Sequence, residues 1–398
     1  MKKVYLDYAA TTPVRPEVVK AMEPYWSLKF GNPSSLHSWG KEAREAVEEA
    51  REEVAKVLNC TPEEIIFTGT TTTSDNLAIL GVVNALSHSP PPQPDPHPTT
   101  HPHLITSQIE HHSVLDTFKY LEKQGHKVTF LPVDEYGVVD LNVLEKSITP
   151  KTILVSVMYA NNEVGTIQPL EEIGNILKTV SDHKVYFHTD AAAVAEYLAL
   201  DVQKLGVDLL TLGSHKFGGP KGVGILYIKK GTKISPITFG GHHERGLWPG
   251  TEAVPLIVGM ATALESAQLK VKSEKLKVTK LRDKLINGVL KSVPETILTG
   301  HPSKRLPDIA SFCFKGVEGE AILLRLDAEG IAASSGSACT SGTLEPSHVL
   351  LAMGIPPEIA HGSIRFSLGR GTTEEEIDYV LEKLPKIIRE IRAMAPKL

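Results

Sequence analysis

Residues 207–224 read VDLLTLGSHKFGGPKGVG. Val207, Leu209, Leu210 and Leu212 form a short apolar run of the kind a buried strand needs, and Gly213-Ser214-His215 breaks it just before Lys216. Beyond the lysine stand Gly218, Gly219, Pro220, Gly222 and Gly224, through which no helix can continue. A lysine at the end of a buried strand is poorly solvated, which loosens its hold on a proton and makes the amine nucleophilic. Such an amine suits a Schiff base with an aldehyde, above all pyridoxal phosphate. A surface lysine in a glycine-rich turn has the same local sequence, and this stretch alone does not choose between the two.

Working outward, strand-like and helix-like segments alternate. Residues 64–68, 104–107, 128–133, 153–158, 185–189, 207–212 and 222–228 read as strands, and 77–86, 114–124, 141–147 and 170–180 as helices. This predicts an α/β fold with a mostly parallel central sheet flanked by helices. Such sheets bind ligands outside the C-terminal ends of their strands. There lie Thr72, then Glu110-His111-His112, then Asn161-Asn162-Glu163, then Asp190 and Lys216.

Two of these ends carry a specific chemical reading. After the strand at 64–68, the run Gly69-Thr70-Thr71-Thr72-Thr73-Ser74-Asp75-Asn76 opens a helix, so free amides and hydroxyls there suit a phosphate. Capping of that helix by Ser74 or Asp75 is the plainer reading, and it is compatible with the first. Asp190 closes His188-Thr189-Asp190 ahead of three alanines. A carboxylate there would pair with a pyridinium nitrogen and keep the ring an electron sink. By itself a strand-end aspartate is more often a cap. Combined with a lysine further along the same sheet edge, it becomes a signal.

Composition bounds the rest. With 398 residues the chain can bury a sizeable core in two domains. A formal charge of −5 gives no reason to expect nucleic acid or an anionic membrane as partner, and no apolar run is long enough to span a bilayer. Met1-Lys2-Lys3 leads straight into strand-like Val4-Tyr5-Leu6 with no signal-peptide core, and Cys60, Cys313 and Cys339 show no framework spacing. A reduced, cytoplasmic setting is expected. Residues 16–28 and 38–58 read as helices; Ser89–Pro102, SPPPQPDPHPTTHP, reads as an extended surface loop whose histidines match no standard metal spacing. From about Pro255 the pattern changes. A long helix over 256–290, strands at 309–314 and 364–368, a helix at 320–326 and a closing helix over 373–392, introduced by capping-box-like Thr372 and Glu375, make a smaller α+β domain. The expected division is a large cofactor-binding domain over 14–255 and a small domain of 1–13 with 256–398.

Several motifs then fall into one order along the chain: Tyr5–Pro13 (YLDYAATTP), Gly31-Asn32-Pro33-Ser34-Ser35, Glu110-His111, Asn161-Asn162-Glu163-Val164-Gly165, His188-Thr189-Asp190, His215-Lys216, Gly250-Thr251, Ser334–Cys339 (SSGSAC) and Ser363–Arg370 (SIRFSLGR). In this the chain resembles the NifS/IscS-type cysteine desulfurases, class-V aminotransferases within the fold-type-I pyridoxal-phosphate enzymes. The resemblance implies that Lys216 is the Schiff-base lysine and later moves the substrate Cα proton. Asp190 would pair with the ring nitrogen, and His111 would stack on the ring and act as acid or base. Asn162 would contact substrate or the ring oxygen side. Thr72, Ser214 and His215 would hold the phosphate of pyridoxal 5'-phosphate, with Thr251 reaching across from the partner subunit of a homodimer. Arg365 would grip the substrate carboxylate, a bidentate task suited to guanidinium. Cys339 would take sulfur from L-cysteine, leaving L-alanine and a persulfide for an acceptor protein in iron–sulfur cluster assembly or tRNA thiolation.

The residues around Cys339 agree with that role. It sits among Ser, Gly, Ala and Thr, in a loop too small-sided to be core, whereas Cys313 lies in Phe312-Cys313-Phe314 and Cys60 ends a helix. Five positions depart from the family pattern, all near the cofactor: Thr70 in place of glycine, Thr73 in place of glutamate, Ala193 in place of glutamine, Gly213 where serine is usual, and Trp248 in place of arginine. They leave Lys216, Asp190, His111, Cys339 and Arg365 intact. Two other readings stand beside desulfurase: a selenocysteine lyase, and a degenerate paralogue acting as a non-catalytic scaffold.

Overall fold

The structure, a computed structural model, describes residues 2–87, 101–180, 183–336 and 345–394. The loop over 89–102 falls almost wholly outside these residues, and so does Cys339.

The elements run β1 (Val4–Tyr5), α1 (Pro16–Met22), α2 (Pro24–Ser27), α3 (Ser38–Leu58), β2 (Ile65–Thr68), α4 (Thr71–Ser87), β3 (His103–Ser107), α5 (His112–Lys123), β4 (Lys127–Leu131), α6 (Leu141–Ser147), β5 (Thr152–Ser156), α7 (Leu170–Val180), β6 (Tyr186–Asp190), α8 (Val202–Leu205), β7 (Leu209–Gly213) and β8 (Gly224–Ile228). Then follow α9 (Val254–Ser292), β9 (Thr296–Leu298), β10 (Ile309–Phe314), α10 (Gly319–Ala328), β11 (Ile331–Ala332), α11 (His348–Ala352), α12 (Pro357–Ala360), β12 (Ser363–Ser367) and α13 (Glu374–Met394).

Among the described residues, seven strands form the central sheet in the order β2-β8-β7-β6-β5-β3-β4. Only β8 runs against its neighbours, β2 and β7; the other pairs are parallel. Alternate residues supply opposite faces, as a pleated strand requires. Ile65, Phe67, Ile105, Val155 and Phe187 face a core shared with α3, α7 and the first part of α9. Ile66, Leu104, Leu154 and Tyr186 face a second core beneath α4 and α5. A third core gathers Phe312, Phe314 and Phe366 of the antiparallel β12-β10-β9 sheet with α13 and the second part of α9.

Three local expectations need correction. The helix expected over 16–28 is broken at Pro24, which has no N–H to donate and starts α2 afresh. The helix expected from residue 77 begins at Thr71. Thr70 caps it, its Oγ1 accepting from the Thr73 amide (3.1 Å) and its carbonyl from the Ser74 amide (3.0 Å), which outweighs the weak helix propensity of a threonine run. Asp75 is therefore inside the helix and not its cap. The capping box of α13 lies one residue later than expected. Thr373 N–H donates to Glu376 (2.9 Å) and Glu376 N–H to Thr373 Oγ1 (3.3 Å), while Thr372 Oγ1 accepts from Gly369.

Candidate active site

Because β2 through β7 are mutually parallel, their C-terminal ends share one edge of the sheet, and β8 starts there. A cavity of about 650 Å³ opens at that edge, lined by Thr72, His111, Asn162, Asp190, His215, Lys216 and Arg365. Ala9 and Ala10 from the N-terminal segment, Thr70 and Thr71 of the turn after β2, and Ser334, Ser335 and Gly336 also line it.

Lys216 ends a single 3-10 turn, Ser214–Lys216, that follows β7. It is half-buried, and its Nζ donates to the carbonyls of Ala9 (2.6 Å) and Ala10 (3.0 Å). The N-terminal segment is itself tied to this turn: the Thr12 amide and hydroxyl both donate to the His215 carbonyl at 2.9 Å. Asp190 is the last residue of β6, and its Oδ1 accepts from the Ala192 amide (2.8 Å). Burial raises its pKa, while His111, that amide and Lys216 pull the other way.

His111 caps α5, and its Nδ1 accepts from the Ser113 amide (3.2 Å). The same nitrogen lies 2.8 Å from Ser113 Oγ, so Ser113 holds that side of the ring. Burial lowers the His111 pKa, against the attraction of Asp190. Behind the ring, Ser113 Oγ donates to Asp75 Oδ2 and Thr211 Oγ1 to Asp75 Oδ1, each at 2.6 Å. The Asp75 carboxyl is wholly buried, and burial followed by the nearby Asp190 pushes its pKa well up. His215 is pushed down to about 4 by burial, then by Lys216 and Lys221, so it is a neutral imidazole at pH 7.

Arg365, on β12, donates from Nη1 to the Asn162 carbonyl (2.8 Å) and from Nη2 to Asp7 Oδ1 (3.1 Å). Ser334 Oγ also donates to Asp7 (2.8 Å). Beside them Glu163, raised to about 7 by burial, accepts from Ser347 Oγ at 2.5 Å.

Two expected residues stand apart. Ser214 Oγ is buried without a hydrogen-bond partner among the described residues, at the place where a Cβ on Gly219 would fall. Thr251 is exposed and lines a separate hollow of about 100 Å³ with Trp248 and Gly250. Cys339 lies outside the described residues; the chain leading to it runs through Ser334–Gly336 in the cavity wall. Asp7, Asp75 and Ser113 are the members to which sequence reasoning gave no role in the site. For Asp75 a signal existed: it shares a helical stripe with Ala78, Ile79 and Val82, all buried.

The arrangement joins an amine, a buried carboxylate, a neutral imidazole, a guanidinium and a hydroxyl-rich helix N-terminus around one cavity. It is suited to bind a phosphorylated aldehyde together with an amino acid.

Comparison with known proteins agrees in extent and kind. The aminotransferase class-V family model matches residues 4–380. Cysteine desulfurase IscS of Dictyoglomus turgidum is 50% identical over 395 residues, covering 99% of this chain and 97% of the relative. Among solved structures, a NifS-like protein matches with a TM-score of 0.89 at 40% identity, over 98% of this chain and all of the other. SspA in complex with cysteine matches with a TM-score of 0.78 at 35% identity, over 93% of this chain and all of the other.

Proposed function

The chain belongs to the class-V aminotransferase family and is a cysteine desulfurase of the IscS type, and we propose that it works on L-cysteine with pyridoxal 5'-phosphate held in the cavity at the sheet edge. The donor set fits that cofactor. Lys216 would hold its aldehyde, Asp190 would pair with its ring nitrogen, and His111 would lie against the ring. Thr72, His215 and the first turn of α4 would receive its phosphate. Once bound, it supplies an electron sink for the bonds broken at the substrate's Cα and Cβ.

The chain's own residues do the remainder. Arg365 binds the substrate carboxylate, its fork held in place by the Asn162 carbonyl and Asp7. Lys216 moves the Cα proton, and the Ala9 and Ala10 carbonyls fix where its amine waits. His111, its Nδ1 engaged by Ser113, would exchange a proton with substrate through Nε2. The Cys339 thiolate attacks the substrate sulfur: an S–S bond forms as the Cβ–S bond breaks, and the released electron pair stays with the carbon skeleton. That skeleton takes up a proton and leaves as L-alanine, while Cys339 keeps a persulfide. Burial pushes the Cys60 and Cys313 thiols up to about 12, which keeps both protonated and supports Cys339 as the nucleophile.

An acceptor protein, an iron–sulfur scaffold or a thiolation factor, would then take the sulfur. The working form is proposed to be a homodimer. Thr251 stands outside its own cavity, and Trp26, Leu28, Phe30, Leu36 and Trp39 are all at least 60% exposed. Among the described residues no helix is long and apolar enough to cross a membrane. A cytoplasmic place of action is part of the proposal, in keeping with the free thiols of Cys60 and Cys313.

The observation that carries this reading is the meeting of Lys216, Asp190, His111 and Arg365 in one cavity from four distant parts of the chain. Incubation with L-cysteine and pyridoxal phosphate should yield alanine in step with sulfur released, and a persulfide on the Cys339 peptide. Absence of alanine would sink the proposal.

A further inference from the structure

The phosphate end of the cavity is short of a hydroxyl where the sequence leads one to expect it. Position 213 is glycine, and the adjacent Ser214 buries its Oγ against Gly219. Yet the space is not empty. A Cβ built on Gly213 would fall on Thr71 Oγ1, well inside contact distance, and would lie 3.9 Å from the His215 ring. A side-chain hydroxyl therefore already occupies the position of a side chain at 213, and it arrives from α4. Thr71 belongs to the cavity wall with Thr72 and His215.

The neighbouring threonines do not do the same. Thr70 and Thr73 engage each other: the Thr70 amide donates to Thr73 Oγ1 (2.9 Å), Thr73 Oγ1 donates to the Thr70 carbonyl (2.8 Å), and the Thr73 amide donates to Thr70 Oγ1 (3.1 Å). Their mutual bonds hold the first turn of a 17-residue helix, whose positive end is available to an anion. Thr71 stands on that turn with its hydroxyl beside Gly213.

We propose that Thr71 is the cofactor-binding residue that replaces a serine at 213, donating its hydroxyl to the phosphate of pyridoxal phosphate. Threonine at 71 and glycine at 213 then form one reciprocal exchange. This rests on the pyridoxal-phosphate reading above and adds to it a side-chain donor which that reading did not name.

The test is equilibrium binding of pyridoxal phosphate, and of pyridoxal lacking the phosphate, followed by the absorbance of the bound group. Thr71→Val removes the hydroxyl at constant shape and should weaken pyridoxal phosphate about tenfold or more, the usual cost of one hydrogen bond to a charged group. Pyridoxal binding should not change. Thr71→Ser should bind as the parent does. Thr71→Ala combined with Gly213→Ser should recover affinity that Thr71→Ala alone has lost, whereas Gly213→Ser alone should give no gain. Parent-like affinity in Thr71→Val, equal loss of both ligands, or a benefit from Gly213→Ser regardless of residue 71 would overturn the assignment. A parent protein that binds no pyridoxal phosphate would overturn the cofactor reading and this one with it.

Discussion

Arg365 shows what fixes a functional side chain at the scale of one residue. A free guanidinium has many rotamers to lose on binding; here the Asn162 carbonyl and Asp7 have already selected one. Lysine at this position keeps the charge but not the planar fork, so Arg365→Lys should raise the KM for cysteine about tenfold and change kcat much less. Steady-state kinetics decides, and an unchanged KM would remove Arg365 from the substrate site. Cys339→Ala makes a complementary separation. It should retain the cysteine-induced change in the cofactor spectrum and lose persulfide formation and sulfide release; undiminished sulfide release would count against Cys339. Sequence alone singles these residues out because each stands in a motif with its own chemical type. Asp75 was read as a cap because it follows Thr-Thr-Thr-Ser; the apolar stripe it shares points to burial, and its place between Ser113 and Thr211 shows what it accepts from. Ser214 was misleading for the converse reason, because sequence lists a hydroxyl without saying which way it turns.

At the scale of elements, periodicity located the central strands and helices to within a few residues, and caps decided the ends. The larger errors came where a side chain overrode propensity, as Thr70 does at α4. Long α9 illustrates what periodicity alone leaves open. Its 39 residues join two cores: Ile257, Met260 and Leu264 pack in the first, and Val278, Leu285 and Val289 in the other. Between them Leu269 is 78% exposed and Leu276 59% exposed. Leu285→Ala should therefore destabilise the protein by about 3 kcal/mol, through lost transfer energy and the cavity left behind. Leu276→Ala should stay within about 0.5 kcal/mol of the parent. Denaturant unfolding of both variants checks the pair, and equal effects would mean that the helix does not bridge the cores as described.

At the scale of the whole molecule, a mostly parallel sheet was legible, but neither its strand order nor the reversed β8 was. Nor did any local pattern show that the N-terminal segment reaches Lys216 through Ala9 and Ala10, or Arg365 through Asp7. Long-range closure of this kind also buries ionisable groups, and the pH dependence of stability should record it. Burial raises Glu110 to about 8 and Glu163 and Asp308 to about 7, and it raises Asp75, Asp190 and Glu196 as well. Between the ordinary carboxylate range and these values, the folded state holds more protons than the unfolded chain, so each group makes stability fall as pH rises. The buried histidines act in the opposite sense. His103 and His215 are lowered to about 4 and His188 to about 3, so below their ordinary value of 6.5 the unfolded chain holds more protons and stability rises with pH. The two sets oppose each other up to about pH 6.5, and from there to about pH 8 only the carboxyls remain. Stability should decline across that window, with Glu110 alone contributing about 2 kcal/mol. Glu110→Gln keeps an oxygen to accept from Ser107 and from the Met158 amide but has no proton to lose. Whatever its effect on absolute stability, its urea midpoint should fall less between pH 6.5 and 8 than the parent's. An equally steep decline in the variant would mean that Glu110 is ionised in the folded protein at neutral pH, and that the water around this sheet edge is closer than its burial implies.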